Sequence, residues 1–218
     1  MRRSLALSFC TLALIACSQS APRPTHPSIA SPIPGAAASA DGGAAEYEIP
    51  IQLTDSDKLF RPSISLRYRS RSGNGVAGMG WSLSASGSVH RCPFIFDGDG
   101  LSRKVSYATD DRLCLNGVKL VLLRGDYGKD GSIYVPELNP TVALRLIGDL
   151  NSPKSAFIAA DGEENTDVYQ TPVIPKGVSA PLSWLLSVSA DKAGHVIEYS
   201  YTQRDFGDLF LDRILYGG

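Results

Sequence analysis

Beyond residue 45 the chain alternates. In residues 46–53 the apolar Tyr47, Ile49, Ile51 and Leu53 are interleaved with Glu46, Glu48, Pro50 and Gln52. A period of two places one set on each face of a half-buried strand. Proline cannot donate to a ladder, so Pro50 predicts an edge position for this strand. Residues 62–70 repeat the pattern, with Ile64, Leu66 and Tyr68 against Ser65, Arg67 and Arg69. The same texture predicts strands over 81–90, 103–107, 112–115, 118–124, 132–135 and 141–147, and then over 156–160, 166–170, 183–190, 195–202 and 209–216. Asn116-Gly117, between two such runs, is a strong hairpin signal. Asp161-Gly162 and Lys192-Ala193-Gly194 mark two further turns. Past the N-terminus no window of about 12 residues carries a helical stripe. The expectation is an all-β fold, with many short antiparallel strands in a sandwich-, barrel- or shell-wall-like sheet assembly. A repeat of fixed period is missing, which argues against a self-contained propeller or solenoid.

The first residues read differently. Arg2 and Arg3 precede an apolar run from Leu5 to Ile15. That run is too short for a membrane span, which takes about 20 residues, and has the length of a signal-peptide core. Its end, Leu14-Ile15-Ala16-Cys17, resembles a bacterial lipobox, which implies a signal peptide over 1–16 and a lipid on Cys17. Ser18 stands where an Asp would mark inner-membrane retention. The alternative is an ordinary secretory peptide cut near Ala16 or Ser20. Residues 17–45 are rich in Pro, Ala and Ser, and within 18–45 only Arg23 and Asp41 are charged and no residue is aromatic. So little apolar surface does not offset the entropy of ordering, and a disordered, lipid-anchored tether is expected. The folded domain is expected over 46–218.

Composition narrows the function. The chain has 218 residues, 43 % of them hydrophobic, enough to bury a core. Lys plus Arg is 21 against 22 for Asp plus Glu, without the basic surplus of a nucleic-acid binder. Three His and four Cys exclude a large metal-ligand array. Cys10 lies in the apolar run and Cys17 is the lipid candidate, leaving Cys92 and Cys114. An oxidising compartment favours their pairing as a disulfide. Two buried thiols, or a metal pair with His90, are the alternatives, and two Cys with one His make a weak zinc case.

Several motifs invite chemistry. Gly73-Asn74-Gly75-Val76-Ala77-Gly78 fits a dinucleotide fingerprint, but Trp81-Ser82-Leu83-Ser84 after it alternates like a strand, and the fingerprint requires a helix there. A tight glycine turn is the reading adopted. Asp97-Gly98-Asp99-Gly100 resembles the start of a calcium loop, yet the twelfth position is Ala108 where a Glu is needed. His90 and His195 are the only candidate bases of the folded part, and neither lies in a nucleophile motif. Arg67, Arg69 and Arg71 read as a solvated strand face. No cofactor and no metal site are expected.

The glycine motif belongs to a longer pattern. Gly43 (one residue out of register), Ala45, Tyr47, Ile49, Pro50 and Ile51 lead to Pro62, Ile64, Leu66, Tyr68 and Ser70. The core follows in Ser72, Gly73, Asn74, Gly75, Gly78, Gly80, Trp81 and Leu83. This series resembles the N-terminal domain of the Salmonella virulence plasmid B protein family, shared with the B component of insecticidal Tc toxins and with RHS/YD-repeat proteins. Asp111-Arg112-Leu113-Cys114-Leu115-Asn116-Gly117, Trp184-Leu185-Leu186, Gly194 to Tyr199 and Asp212 to Gly217 resemble later stretches of that family, with His195 where Asn is usual. The resemblance implies a non-catalytic, β-rich wall segment that helps a propeller and YD repeats enclose or present a C-terminal effector. It implies protein partners from that shell, with Gly73, Asn74, Gly75, Gly78, Gly80 and Trp81 as a structural motif. Chains of the family run on for many hundreds of residues, so a truncated module is expected, exported to the outer membrane or the medium. The alternative is a stand-alone surface lipoprotein that binds a glycan, a protein or calcium through Asp97, Asp99 and exposed tyrosines.

Overall fold

Strict alternation can be satisfied only by strands with two unlike faces, and among the described residues there are sixteen strands and one helical turn. The computed structural model describes residues 35–40, 43–53, 60–75, 77–203 and 209–217. The expected signal peptide, Cys17 and most of the expected tether lie outside the described residues. All of the described residues fall in one unit, Pro34–Gly218.

The N-terminal part is a small antiparallel sheet. Strands β1 (Ala36–Ala40), β2 (Ala44–Pro50) and β3 (Ser65–Arg69) pair in that order. A miniature hairpin follows, β4 (Asn74–Gly75) with β5 (Gly78–Met79), and then β6 (Trp81–Ser84) pairs with β3. Two expectations are corrected here. The sheet begins inside the stretch read as tether, because the register from Ala36↔Glu48 to Ala40↔Ala44 needs only backbone groups, which alanine supplies as well as any residue. And β2 is not at an edge. The ladder with β1 stops at Glu48, so the missing N–H of Pro50 faces no strand there, while its other side pairs with Ser65.

The remaining strands form the larger sheet. They are β7 (Ser88–Arg91), β8 (Leu113–Leu115), β9 (Val118–Arg124), β10 (Ile133–Pro136), β11 (Ala143–Ile147), β12 (Ala156–Ala160), β13 (Thr166–Val173), β14 (Ser183–Ala190), β15 (Val196–Gln203) and β16 (Leu209–Leu215). Between β7 and β8 lies the single helical turn α1 (Phe96–Asp99). Strands β7 to β14 follow one another as an antiparallel meander, and β14 pairs with both β13 and β7. The sheet therefore closes into an eight-stranded barrel rather than a sandwich. Beyond Leu185 the β7 side of β14 is taken over by β15 at Val188–Ala190, and β16 flanks β15.

An eight-stranded barrel is just wide enough for side chains to fill it. Here Tyr134, Phe157 and Trp184 meet edge to face, Phe157 and Trp184 at 5.0 Å between ring centres, and all three are fully buried. The Trp184 Nε1 donates to Ser155 Oγ at 3.0 Å, so burial of the indole leaves no polar atom unpaired. Leu113, Leu144, Leu146 and Leu150 fill the space around the rings.

Turn chemistry follows the sequence closely. Asn116 and Gly117 both have positive φ (50° and 88°), as the hairpin signal requires. Asp161 and Asp191 close two similar loops, each carboxylate accepting two backbone N–H groups of its own turn. Elsewhere the structure departs from the expected strands. The run 81–90 is two strands in two sheets, split at 85–87. There the Gly87 carbonyl accepts from Leu186 N and the Asn116 carboxamide accepts from Ser88 N, drawing the chain onto the barrel. The run 103–107 is not a strand but one isolated bridge, Phe94↔Arg103. Its Ser106 N–H turns to the Asp111 carboxylate, and Tyr107 takes a positive φ of 60°.

Candidate functional site

The glycine-tryptophan motif builds a compact hairpin corner. Gly80 has φ +77°, and a Cβ there would lie 2.6 Å from the Tyr68 ring and 2.9 Å from the Arg69 carbonyl. At Gly75 a Cβ would lie 1.9 Å from the Trp81 carbonyl. Both glycines are demanded by backbone approach, which no side chain tolerates. Gly78 needs its positive φ, while Gly73 has open space around it. Asn74 pairs with Met79 in the hairpin ladder. Trp81 is half-buried and packs on Tyr68 at 5.3 Å, so it caps the small sheet and takes no part in the barrel core. Trp184 fills that role. No helix follows the glycines, so the fingerprint lacks the N-terminus that would meet a pyrophosphate.

Arg67 and Arg69, read as a solvated face, are paired across the ladder. Glu48 faces Arg67 at 3.3 Å and Glu46 faces Arg69 at 2.9 Å. The Ser65 hydroxyl and Arg67 hold the Glu48 carboxyl below its usual range.

The densest polar construction lies near Cys92 and Cys114, which form a disulfide with Cα atoms 6.0 Å apart. Next to it, Arg91 points inward from β7 with its side chain wholly buried. It donates to the carbonyls of Pro181 (2.8 Å), Ala108 (2.7 Å) and Leu150 (3.3 Å), to Asn151 Oδ1 (2.6 Å) and to Asp111 Oδ2 (3.1 Å). Asp111 accepts in addition from the Ser106 N–H and hydroxyl. Burial draws the Arg91 guanidinium below its ordinary pKa, and Asp111 offsets part of that. One side chain thus ties together the loops before β8, β12 and β14. Sequence reasoning missed this pair, although a signal was present: Arg91 occupies the inward phase set by Val89.

The remaining candidates are spent on structure. Asp99 is not free for calcium, since Lys119 Nζ lies 2.9 Å from it and Arg112 Nη1 and the Ile95 N–H also donate to it. Those donors, Lys119 first, hold its carboxyl at about 2. Asp97 is exposed on the same turn. Among the described residues no group of three or more His, Cys, Asp or Glu is arranged to hold a metal ion. His195 faces Asp191 at 2.8 Å within its own turn. His90 sits in β7, where burial pushes its imidazole pKa down. The two histidines lie on different elements, and among the described residues neither is hydrogen-bonded to a side-chain nucleophile.

Comparison with known proteins gives this architecture relatives. Residues 39–93 match the family model described as Salmonella virulence plasmid 65kDa B protein. The fold is similar to the N-terminal domain of the effector protein SpvB from Salmonella typhimurium strain LT2, with TM-score 0.61 and 20 % identity over 78 % of this chain and 63 % of that one. It is similar to a chain of the Photorhabdus luminescens Tc holotoxin pore, with TM-score 0.66 and 16 % identity over 84 % of this chain. It is also similar to TcdB2-TccC3, with TM-score 0.67 and 18 % identity over 85 % of this chain. The chain spans a tenth of the length of each of these two toxin chains. No curated protein matches it in sequence. The resemblance carried by the glycine-tryptophan motif is borne out: the family model covers the segment that holds it, and the shared fold reaches well beyond that segment.

Proposed function

We propose that the chain is an exported, non-catalytic scaffold module that packs against neighbouring β domains in a toxin-type shell, which encloses or presents an effector. The observation that carries this reading is the outside of the barrel. Its interior is already filled by side chains, yet the opposite faces of the same strands carry exposed apolar residues around a single cation, Arg145 on β11. Leu123 on β9 is 64 % exposed, and Val121, Ile147 and Ile158 stand open on β9, β11 and β12. Their neighbours Leu120, Leu146 and Phe157 point the other way into the core. Strands with exposed apolar residues on the face opposite the core suit a sheet covered on both sides. Among the described residues β16 is the last strand of the large sheet, where a further strand could add. Export, a lipid on Cys17 and a place at the outer membrane belong to the same proposal and are supported by the N-terminal sequence.

The test is a double substitution, Leu123→Lys with Ile158→Lys, made in the native bacterium. Both residues face outward, so the barrel should fold. The expected result is loss of the chain from its native high-mass complex, read by native gel and immunoblot. A wild-type chain that runs as a free monomer, or a complex untouched by the two lysines, would overturn the reading.

A second reading, a glycan-binding surface protein, is favoured by one feature. A cleft of about 530 Å³ between the small sheet and the barrel is lined by Glu48, Arg67, Asn116, Asp167 and several serines. Saturable binding to a glycan array, lost in Asp167→Asn, would support it.

A further inference from the structure

The outward face of β9 to β12 has one cation in its midst. Arg145 lies on β11 between the buried Leu144 and Leu146, so its side chain leaves the barrel on the outer side, where it is exposed. The register sets Ile133 of β10 opposite it on one flank and Ile158 of β12 opposite it on the other. Ile147 is its same-face neighbour along β11, and Val121 and Leu123 continue the face on β9.

Three observations define what covers this face. Arg145 has no counter-charge: among the described residues it forms no ion pair and no side-chain hydrogen bond. The small sheet treats its strand arginines otherwise, setting Glu48 opposite Arg67 and Glu46 opposite Arg69. Next, β9, β10, β11 and β12 contain no Asp or Glu, so the missing carboxylate cannot come from the face itself. Lys119 and Arg124, the other cations of these strands, stand toward the two ends of β9. Last, the surroundings of Arg145 are apolar. A purely hydrocarbon cover would strip the guanidinium of water and return nothing, which is costly for a charge. A second copy of the chain meets the same objection, since a two-fold contact lays the same acid-free patch against itself.

We propose that this face docks a different protein or domain through an apolar patch that carries an Asp or Glu, placed to accept a bidentate pair of hydrogen bonds from Arg145. The apolar residues supply the buried area, and the single charge sets register and excludes apolar partners that lack the acid. The inference deepens the scaffold reading and rests on it for the existence of a covering partner.

The experiment uses the full chain in its native bacterium and reads, by native gel and immunoblot, the share of chain held in the high-mass complex. Arg145→Leu should lower that share at least roughly tenfold, because the partner's carboxylate is left covered and unpaired. Arg145→Glu should lower it further, while Arg145→Lys, which keeps the charge but not the planar fork, should retain most of it. Position 145 is exposed, so each purified variant should melt within about 2 °C of the wild type, which shows that it is folded. A photocrosslinking residue, p-benzoylphenylalanine, placed at the exposed Ala160 of the same face should attach to a peptide outside this sequence that holds an Asp or Glu among apolar residues. Changing that acid to lysine should restore the complex of Arg145→Glu. A complex of Arg145→Leu as abundant as the wild type overturns the inference, as do crosslinks confined to lipid or to a second copy of this chain. The two readings fail differently. Normal assembly of Arg145→Leu beside loss in Leu123→Lys with Ile158→Lys sinks only the carboxylate pairing, whereas a free wild-type monomer sinks the scaffold reading and this inference with it.

Discussion

The two sheets of this chain are held by different means. The barrel is closed by pairing of its first and last strands and filled by Tyr134, Phe157 and Trp184. The small sheet encloses no comparable core. It depends on backbone ladders, two cross-strand ion pairs and the close approach of Gly75 and Gly80 to their neighbours. The segment that matches the family model, 39–93, covers the small sheet from the end of β1 onward and only the first strand of the barrel. The lesson is physical. Where a Cβ would overlap a carbonyl, one residue fits and the sequence is pinned. Where a core must merely be filled, many apolar residues of suitable volume serve. The fold as a whole is shared with its structural relatives at 16–20 % identity.

The comparison can be broken at either sheet. The largest effects should come from the barrel. Trp184→Ala should cost about 3–5 kcal/mol in a denaturant titration, whereas Trp81→Ala should cost about 1–2 kcal/mol, since it loses one tilted ring contact and a half-buried surface. Equal losses would mean that the small sheet is as much a core element as the barrel. Arg91→Met should be of similar weight to Trp184→Ala, about 3–5 kcal/mol, because the buried Asp111 would keep only the more distant Arg103, 3.8 Å away, and the carbonyls that Arg91 bonds would lose their donor. Adding Asp111→Leu to that variant should recover part of the loss, and urea melts of the single and double variants decide it. Removing the disulfide as Cys92→Ala with Cys114→Ala should cost about 3 kcal/mol on the chain-entropy account, which a thermal melt with and without reductant would show.

A smaller effect concerns acid. The Asp99 carboxyl is held at about 2, below its ordinary 3.8. A depressed carboxyl stabilises the fold above the unfolded value and loses that contribution as pH falls through the folded one. The melting temperature should therefore decline between about pH 4 and pH 2 by more in the wild type than in Asp99→Asn. The smallest effect tests the paired turns. Glu164 has φ +69° in the Asp161 loop, where the sister loop places Gly194 at +88°. Glu164→Gly should raise stability by up to about 1 kcal/mol, and Gly194→Ala should lower it by about 1 kcal/mol, both by thermal melt.

Much of this fold was legible in the alternation. Twelve-residue windows without a helical stripe, the Asn116-Gly117 turn and the strand at 156–160 all appear in the structure as the pattern implies. Other features have no local signal. Closure of the barrel depends on Trp184 meeting Val89 across nearly a hundred residues, and periodicity carries no information about which strands pair. The strand at 36–40 was hidden because five small residues show no alternation, though their backbone pairs fully. The run 103–107 looked like a strand until Asp111 claimed its Ser106 N–H, a tertiary contact that overrides local propensity. The candidate site shows the same division. Gly75, Gly80 and the Cys92–Cys114 pair were readable in advance. Arg91 and Asp111 were not singled out, because the acceptors of Arg91 come from loops far along the chain.

The central claim is that this chain works as part of a larger shell. The most direct test is the size and location of the native product, by immunoblot of denaturing and native gels on cell, membrane and culture fractions of its own bacterium. The account predicts an exported product found in an assembly far larger than 23.3 kDa. A free 23.3 kDa monomer confined to the cytoplasm would contradict it.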